Sequence, residues 1–171
     1  MTLTVETGTG DLASESYVSV SDCAGYASKR GLTFPSSPVD AAEQALRRAT
    51  QWIDDTYRTR FPGQRRRFRL QALEWPRVAV VDMNGFPIED DEIPQEIFNA
   101  TCEAAVREMA SAGSLAPDLE RGGKIQMLKA GSVEIQYGAG ATATTTFQII
   151  DGILASLIGA PNQYTASAVR G

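Results

Sequence analysis

Six arginines occupy a dozen positions of this chain, Arg58, Arg60, Arg65, Arg66, Arg67 and Arg69, and Gln71-Ala72-Leu73-Glu74-Trp75-Pro76-Arg77 follows almost at once. A guanidinium is a planar, permanently charged fork that bonds carboxylate and phosphate alike, so the chemistry on offer is anion recognition. The chain as a whole is acidic, with a net charge of -5. Three partners therefore suit the run: its own acidic residues, such as Glu89, Asp90, Asp91 and Glu92; a neighbouring subunit or partner protein; or the phosphates of nucleic acid. The overall field repels nucleic acid unless the arginines are displayed as a patch.

Other chemistry has little to work with. There is no histidine, which removes Ser/His/Asp and Cys/His nucleophiles and the commonest transition-metal ligand. Cys23 and Cys102 are the two cysteines; without a CxxC partner they read as reduced, partly buried thiols. Asp54-Asp55 and Glu89 to Glu92 are paired carboxylates, but without EF-hand spacing they read as solvated helix faces. Gly138-Ala139-Gly140 lacks the strand, helix and lysine of a phosphate cradle and reads as a loop. Trp52 and Trp75 read as core or interface anchors rather than platforms for bases, and Tyr26 and Tyr57 as packing residues. No cofactor, metal site or catalytic group is expected.

The elements that must position the arginines are mostly helical. A length of 171 residues suits one domain, expected over 1–160, with β excursions near 78–88 and 124–137 and a C-terminal arm at 161–171. No apolar run reaches the about 20 residues of a membrane span, and the N-terminus lacks signal-peptide regions, so a cytoplasmic protein is expected. Ser16 to Val20 is an extended lead-in to a first helix capped by Ser21 and closed at Gly31. Ser37-Pro38-Val39-Asp40 places a cap serine before a proline at the first helical position. From there Ala42, Ala45, Leu46, Ala49, Trp52, Ile53 and Tyr57 recur at helical steps until Pro62-Gly63. Val78 to Val81 and Phe86 to Ile88 flank the turn residues Asn84-Gly85, which predicts a small hairpin. Ile93-Pro94 opens a third helix carrying Ile97, Phe98, Thr101, Ala104, Ala105 and Met109, ended by Gly113. Ile125 to Tyr137 alternates as strand, turn at Ala130-Gly131, strand. Ala141 to Thr146 is a joint, and a last helix runs from about Phe147 to Leu157 with an end at Gly159-Ala160-Pro161.

In that order the motifs resemble a known family. Ser16-Tyr17-Val18-Ser19 before a helix closed by Arg30-Gly31, Ala45-Leu46-Arg47-Arg48-Ala49-Thr50 with Trp52-Ile53-Asp54, then Gln71, Leu73, Trp75-Pro76-Arg77, Ile93-Pro94 and a closing Arg170-Gly171 are similar to the head-tail connector, or adaptor, proteins of tailed bacteriophages. Some relatives are labelled DnaT-like single-stranded-DNA-binding proteins, which keeps that alternative open. The resemblance implies a mainly α fold, a small helical bundle with an inserted β-hairpin or short strands and an extended terminal arm. It implies a dodecameric ring under the portal protein, meeting a tail-side connector or stopper protein and passing genomic double-stranded DNA through its lumen. The place implied is the virion's head-tail interface, reached from the host cytoplasm during assembly. Subunit, portal or DNA contact is then expected of Arg58, Arg60, Arg65, Arg66, Arg67 and Arg69. Portal docking is expected of Tyr164, Val169 and Arg170 in the arm.

Overall fold

Helical spacing in the chain's middle builds the bundle's central strut. In the computed structural model, which describes residues 2–115, 127–130, 133–136 and 147–158, helix α2 spans Val39–Tyr57. It buries Ala42, Ala45, Leu46, Ala49, Ile53 and Tyr57 along one side. It packs chiefly on α3, Gln95–Ala110, which buries Ile97, Ala100, Thr101, Ala104 and Ala105. Alanines on both helices let two backbones approach closely, and the leucine and isoleucine side chains between them supply about 1.5–3 kcal/mol each on burial. Helix α1, Val20–Lys29, lies against both, and α4, Gln148–Ile158, lies on α3. Ile150, Leu154 and Leu157 of α4 are buried, whereas Ile149 faces outward.

Helix ends differ from their expected caps by a residue or two. Ser19, not Ser21, caps α1: its hydroxyl oxygen accepts from the Asp22 N–H at 3.1 Å. The three-residue step from Ser19 to Asp22 suits a cap, and Val18, fully buried just before it, fixes where the chain enters. At the other end the N–H groups of Gly31 and Leu32 bond the carbonyls of Ser28 and Ala27, which closes the helix as a left-handed glycine permits. Pro38, not Ser37, occupies the α2 cap position, in extended conformation and with no side-chain cap bond. Pro94 does the same for α3, which stops at Ala110, before Gly113.

Polar ties register the helices on one another. Tyr26 donates to Glu103 at 3.0 Å, joining α1 to α3. Arg48 pairs with the buried Glu108, joining α2 to α3. Tyr57 donates to Asp151 at 2.8 Å and Ser156 to Glu96 at 2.9 Å, which fix α4 against α2 and α3.

Among the described residues there are three two-stranded antiparallel pairs. β1, Gln64–Arg65, pairs with β2, Arg77–Val78. β3, Val80–Val81, pairs with β4, Pro87–Ile88, in the register Val80 to Ile88. The hairpin expected at 78–88 is therefore present but shorter, because Ala79 at φ 56° breaks the strand and gives Val78 to a different partner. Asp82 closes its turn, its carboxylate accepting from the N–H groups of Asn84 and Phe86 at 2.8 Å each. β5, Met127–Ala130, pairs with β6, Val133–Gln136, as the alternation at 125–137 predicts. The joint at 141–146, the helix stop at 159–161 and the arm at 161–171 with Tyr164, Val169 and Arg170 lie outside the described residues. No helix of the described residues is long and apolar enough to cross a membrane.

Candidate functional site

The segment after the arginines is a clamp that shapes the loop before it. Gln71 is buried and divides its amide three ways: Nε2 donates to the carbonyls of Leu73 at 2.8 Å and Pro76 at 3.1 Å, while Oε1 accepts from the Arg67 N–H at 2.9 Å. Arg77 is buried as well. Its Nε reaches the Pro62 carbonyl at 2.6 Å, Nη2 the Gly63 carbonyl at 2.9 Å and Nη1 the Glu74 carboxylate at 2.9 Å. One guanidinium fork thus ties the start of the loop to its end. Trp75 is fully buried and meets Phe61 edge to face at 5.8 Å, and Trp52 packs edge-on against Tyr57 and Phe147. Both tryptophans are packing anchors.

Asp54 holds this clamp to the bundle, and it is not the solvated helix-face residue its pairing with Asp55 suggests. Its carboxyl is buried and accepts from the Tyr17 hydroxyl at 2.6 Å and from the Glu74 N–H at 3.0 Å, while the Tyr17 oxygen accepts from the Trp75 N–H at 3.1 Å. Burial pushes the Asp54 pKa up to about 7, although both hydrogen bonds pull it down. Burial and the neighbouring Asp54 charge push the Tyr17 hydroxyl far up in turn. Asp55 is exposed, as expected.

A second brace comes from the N-terminal loop, which composition leaves unremarked. The buried Glu6 carboxylate accepts from the N–H groups of Gly8, Gly10 and Asp11 at 2.9–3.0 Å and from the Ser14 hydroxyl at 2.9 Å. The chain curls around that carboxylate and turns two carbonyls outward. Arg66 donates to the Gly8 carbonyl at 2.8 Å and Arg67 to that of Gly10 at 3.4 Å, and the Ala72 N–H reaches Asp11. Thr7, Gly8, Thr9, Arg66, Arg67 and Asp91 line an open cleft of about 420 Å³ where the two loops meet.

The six arginines consequently divide into two groups. Arg58 pairs with Asp55 at 2.6 Å and lies 3.9 Å from Glu74; Arg60 lies 3.8 Å from Asp151 and over the Tyr57 ring. These two serve the bundle, through acids other than Glu89 to Glu92, which form none of the run's ion pairs among the described residues. Arg66 and Arg67 bond carbonyls, which leaves their charge in place, and Arg65 lies in β1 beside Arg69's turn at Phe68–Leu70. Among the described residues no ion pair reaches Arg65, Arg66, Arg67 or Arg69. Phe68 and Leu70 stand exposed within the same turn.

Elsewhere the residues are structural. Cys23 and Cys102 are fully buried, more so than their spacing suggests, and the adjacent Cys23 thiol together with burial pushes the Cys102 thiol well above its usual range. Such thiols are poor nucleophiles. Among the described residues no group of three or more histidine, cysteine, aspartate or glutamate side chains could hold a metal ion.

The fold and loop define a class: a mainly α, four-helix bundle protein presenting a braced cationic loop. Residues 1–171 match the family model described as "Putative DnaT-like ssDNA binding protein", and the chain belongs to that family. The description names binding and no reaction. No curated protein and no solved structure matches the chain.

Proposed function

We propose that the protein works by binding single-stranded DNA, with the outer side of the loop at Arg65 to Leu70 as its contact surface. One observation carries this reading: four neighbouring arginines make no ion pair among the described residues, although the chain has more acids than bases. Backbone bonds to Gly8 and Gly10 aim two of them without neutralising either. Phosphates are suitable anions for such a surface, and the family's description supports that choice. At about -0.7 per contact, four phosphate contacts give a slope of about -3 for log affinity against log salt. Fluorescence anisotropy of a labelled oligothymidine measures it. Replacing Arg65 and Arg69 with alanine should roughly halve the slope; an unchanged slope would refute the assignment.

A second reading follows from the resemblance in sequence and is favoured by a separate feature. The β3–β4 hairpin holds Val81, Met83 and Phe86 out to solvent while the Met83 N–H bonds the Ser156 carbonyl of α4 at 3.0 Å. Apolar side chains on a braced hairpin suit protein contact. On this reading the chain is a structural head-tail connector of a tailed phage, a dodecameric ring between the portal and a tail-side connector or stopper protein in the virion. The arginine loop then faces a neighbouring subunit, the portal or the double-stranded DNA in the lumen, and Tyr164, Val169 and Arg170 dock the arm on the portal. Native mass measurement separates the two: a closed ring supports the connector, and a monomer that binds single strands supports the first reading.

A further inference from the structure

We infer that Phe68 is a base-stacking platform that makes the arginine loop selective for unpaired over duplex nucleic acid. The inference rests on the single-strand reading and names the side chain that recognises a base rather than a phosphate. Phe68 is 66% exposed, as Phe86 of the β3–β4 hairpin is at 68%, while Tyr17, Phe34, Tyr57, Phe61 and Trp75 are buried; of these two exposed rings it is Phe68 that lies within the arginine run. It also sits at φ 53°, a left-handed conformation that bulky side chains rarely adopt, and such outliers gather at binding sites where the surroundings enforce them.

Those surroundings are visible. The Leu70 N–H bonds the Arg67 carbonyl at 2.8 Å, the Arg67 N–H bonds the Gln71 side chain at 2.9 Å, and the Arg66 N–H bonds the Pro76 carbonyl at 3.1 Å. Arg66 and Arg67 are thus held by the clamp and Leu70 by the turn's own backbone bond, and the Phe68 ring between them is displayed to solvent.

Charge says what the ring meets. Arg67 and Arg69 flank it directly, Arg65 and Arg66 precede it, and none of the four is ion-paired among the described residues. A protein surface would need matching carboxylates there. A nucleotide supplies both parts at once, an aromatic face for the ring and a phosphate for a guanidinium, and stacking of this kind tolerates any base. Duplex DNA keeps its base faces inside the helix, so it can use only the arginines. Leu70, 62% exposed, and Leu12, 64% exposed on the loop joined to Ala72, add apolar surface beside the turn.

The experiment compares the full chain with F68A and F68W against labelled oligothymidine and a labelled duplex. F68A should lose roughly 5- to 100-fold in affinity for the single strand, with the salt slope unchanged, and change duplex affinity less than about twofold. F68W should bind the single strand like the parent, with its added tryptophan fluorescence quenched on binding. Equal single-strand binding by F68A and the parent overturns the inference while leaving the single-strand reading in place. So does an F68A defect that F68W does not rescue, or one that appears as altered native mass, which would assign the ring to protein contact. A parent that binds no single strand overturns both.

Discussion

Replacing Asp54 with asparagine should produce a stability difference that reverses with pH. The carboxyl is buried, receives the Tyr17 hydroxyl and the Glu74 N–H, and has its pKa raised by burial from 3.8 to about 7. Between those values the folded chain binds a proton that the unfolded chain has released, so this group's contribution falls as pH rises through the window. The full rise corresponds to a loss of up to about 4 kcal/mol, at about 1.4 kcal/mol per pH step. Asparagine does not titrate, but its amide nitrogen cannot accept, so one of the two donors loses its partner at a cost of about 1–3 kcal/mol. At pH 4 the parent should therefore be the more stable by about that amount; about 1.6 kcal/mol of that advantage is gone by pH 5, and by pH 8 the order should reverse. The chain has no histidine, so no imidazole titrates in this window, and other carboxyls shared by both proteins cancel in the difference. Urea unfolding followed by helical circular dichroism at pH 4, 5, 6, 7 and 8 measures it. A difference that stays flat or grows with pH would show that Asp54 is ionised throughout and that its hydrogen bonds outweigh burial.

Gly8→Ala should destabilise by more than about 2 kcal/mol, because φ is 93° there and an added Cβ would lie 1.8 Å from the Asp91 carbonyl oxygen; thermal melting reads the loss. Arg77→Lys keeps the charge but cannot span the carbonyls of Pro62 and Gly63 and the Glu74 carboxylate together, so a loss of about 2 kcal/mol in urea unfolding is expected. Phe68→Gly should raise the melting temperature by relieving a left-handed residue worth about 1 kcal/mol, while weakening single-strand binding in the anisotropy assay. On the connector reading, deleting residues 162–171 should leave helical content and melting nearly unchanged while portal co-purification is lost; retained co-purification would refute docking by the arm.

Much of the bundle was legible because helical burial has a short period. Ala42, Ala45, Leu46, Ala49, Trp52, Ile53 and Tyr57 announce the buried side of α2 at steps of three and four, and all but the half-buried Trp52 are buried. Ile97, Phe98, Thr101, Ala104, Ala105 and Met109 do the same for α3, with Phe98 and Met109 half-buried at its margin. The hairpin turn at Asn84-Gly85 was legible for an equally local reason, glycine's freedom at φ 85°. Caps were less so: Ser19 and Ser21 are both competent, and the choice falls to Ser19 through the anchoring of Tyr17 and Val18 in the core. The Gln71 to Arg77 motif was visible as a resemblance, yet its action as a clamp depends on carbonyls at Pro62 and Gly63 and on Asp54.

From the sequence by itself came the mainly α class, the concentration of arginines on one connection and the absence of histidine chemistry, since composition and near-neighbour spacing are local properties. Only the tertiary structure decided which arginines keep their charge for a partner. Arg58 and Arg60 are answered by Asp55, Glu74 and Asp151, Arg66 and Arg67 are aimed by the carbonyls of Gly8 and Gly10, and Phe68 is turned outward. An ion pair needs its partners within a few ångströms, and for charges far apart along the chain that distance is set by how the helices and loops pack.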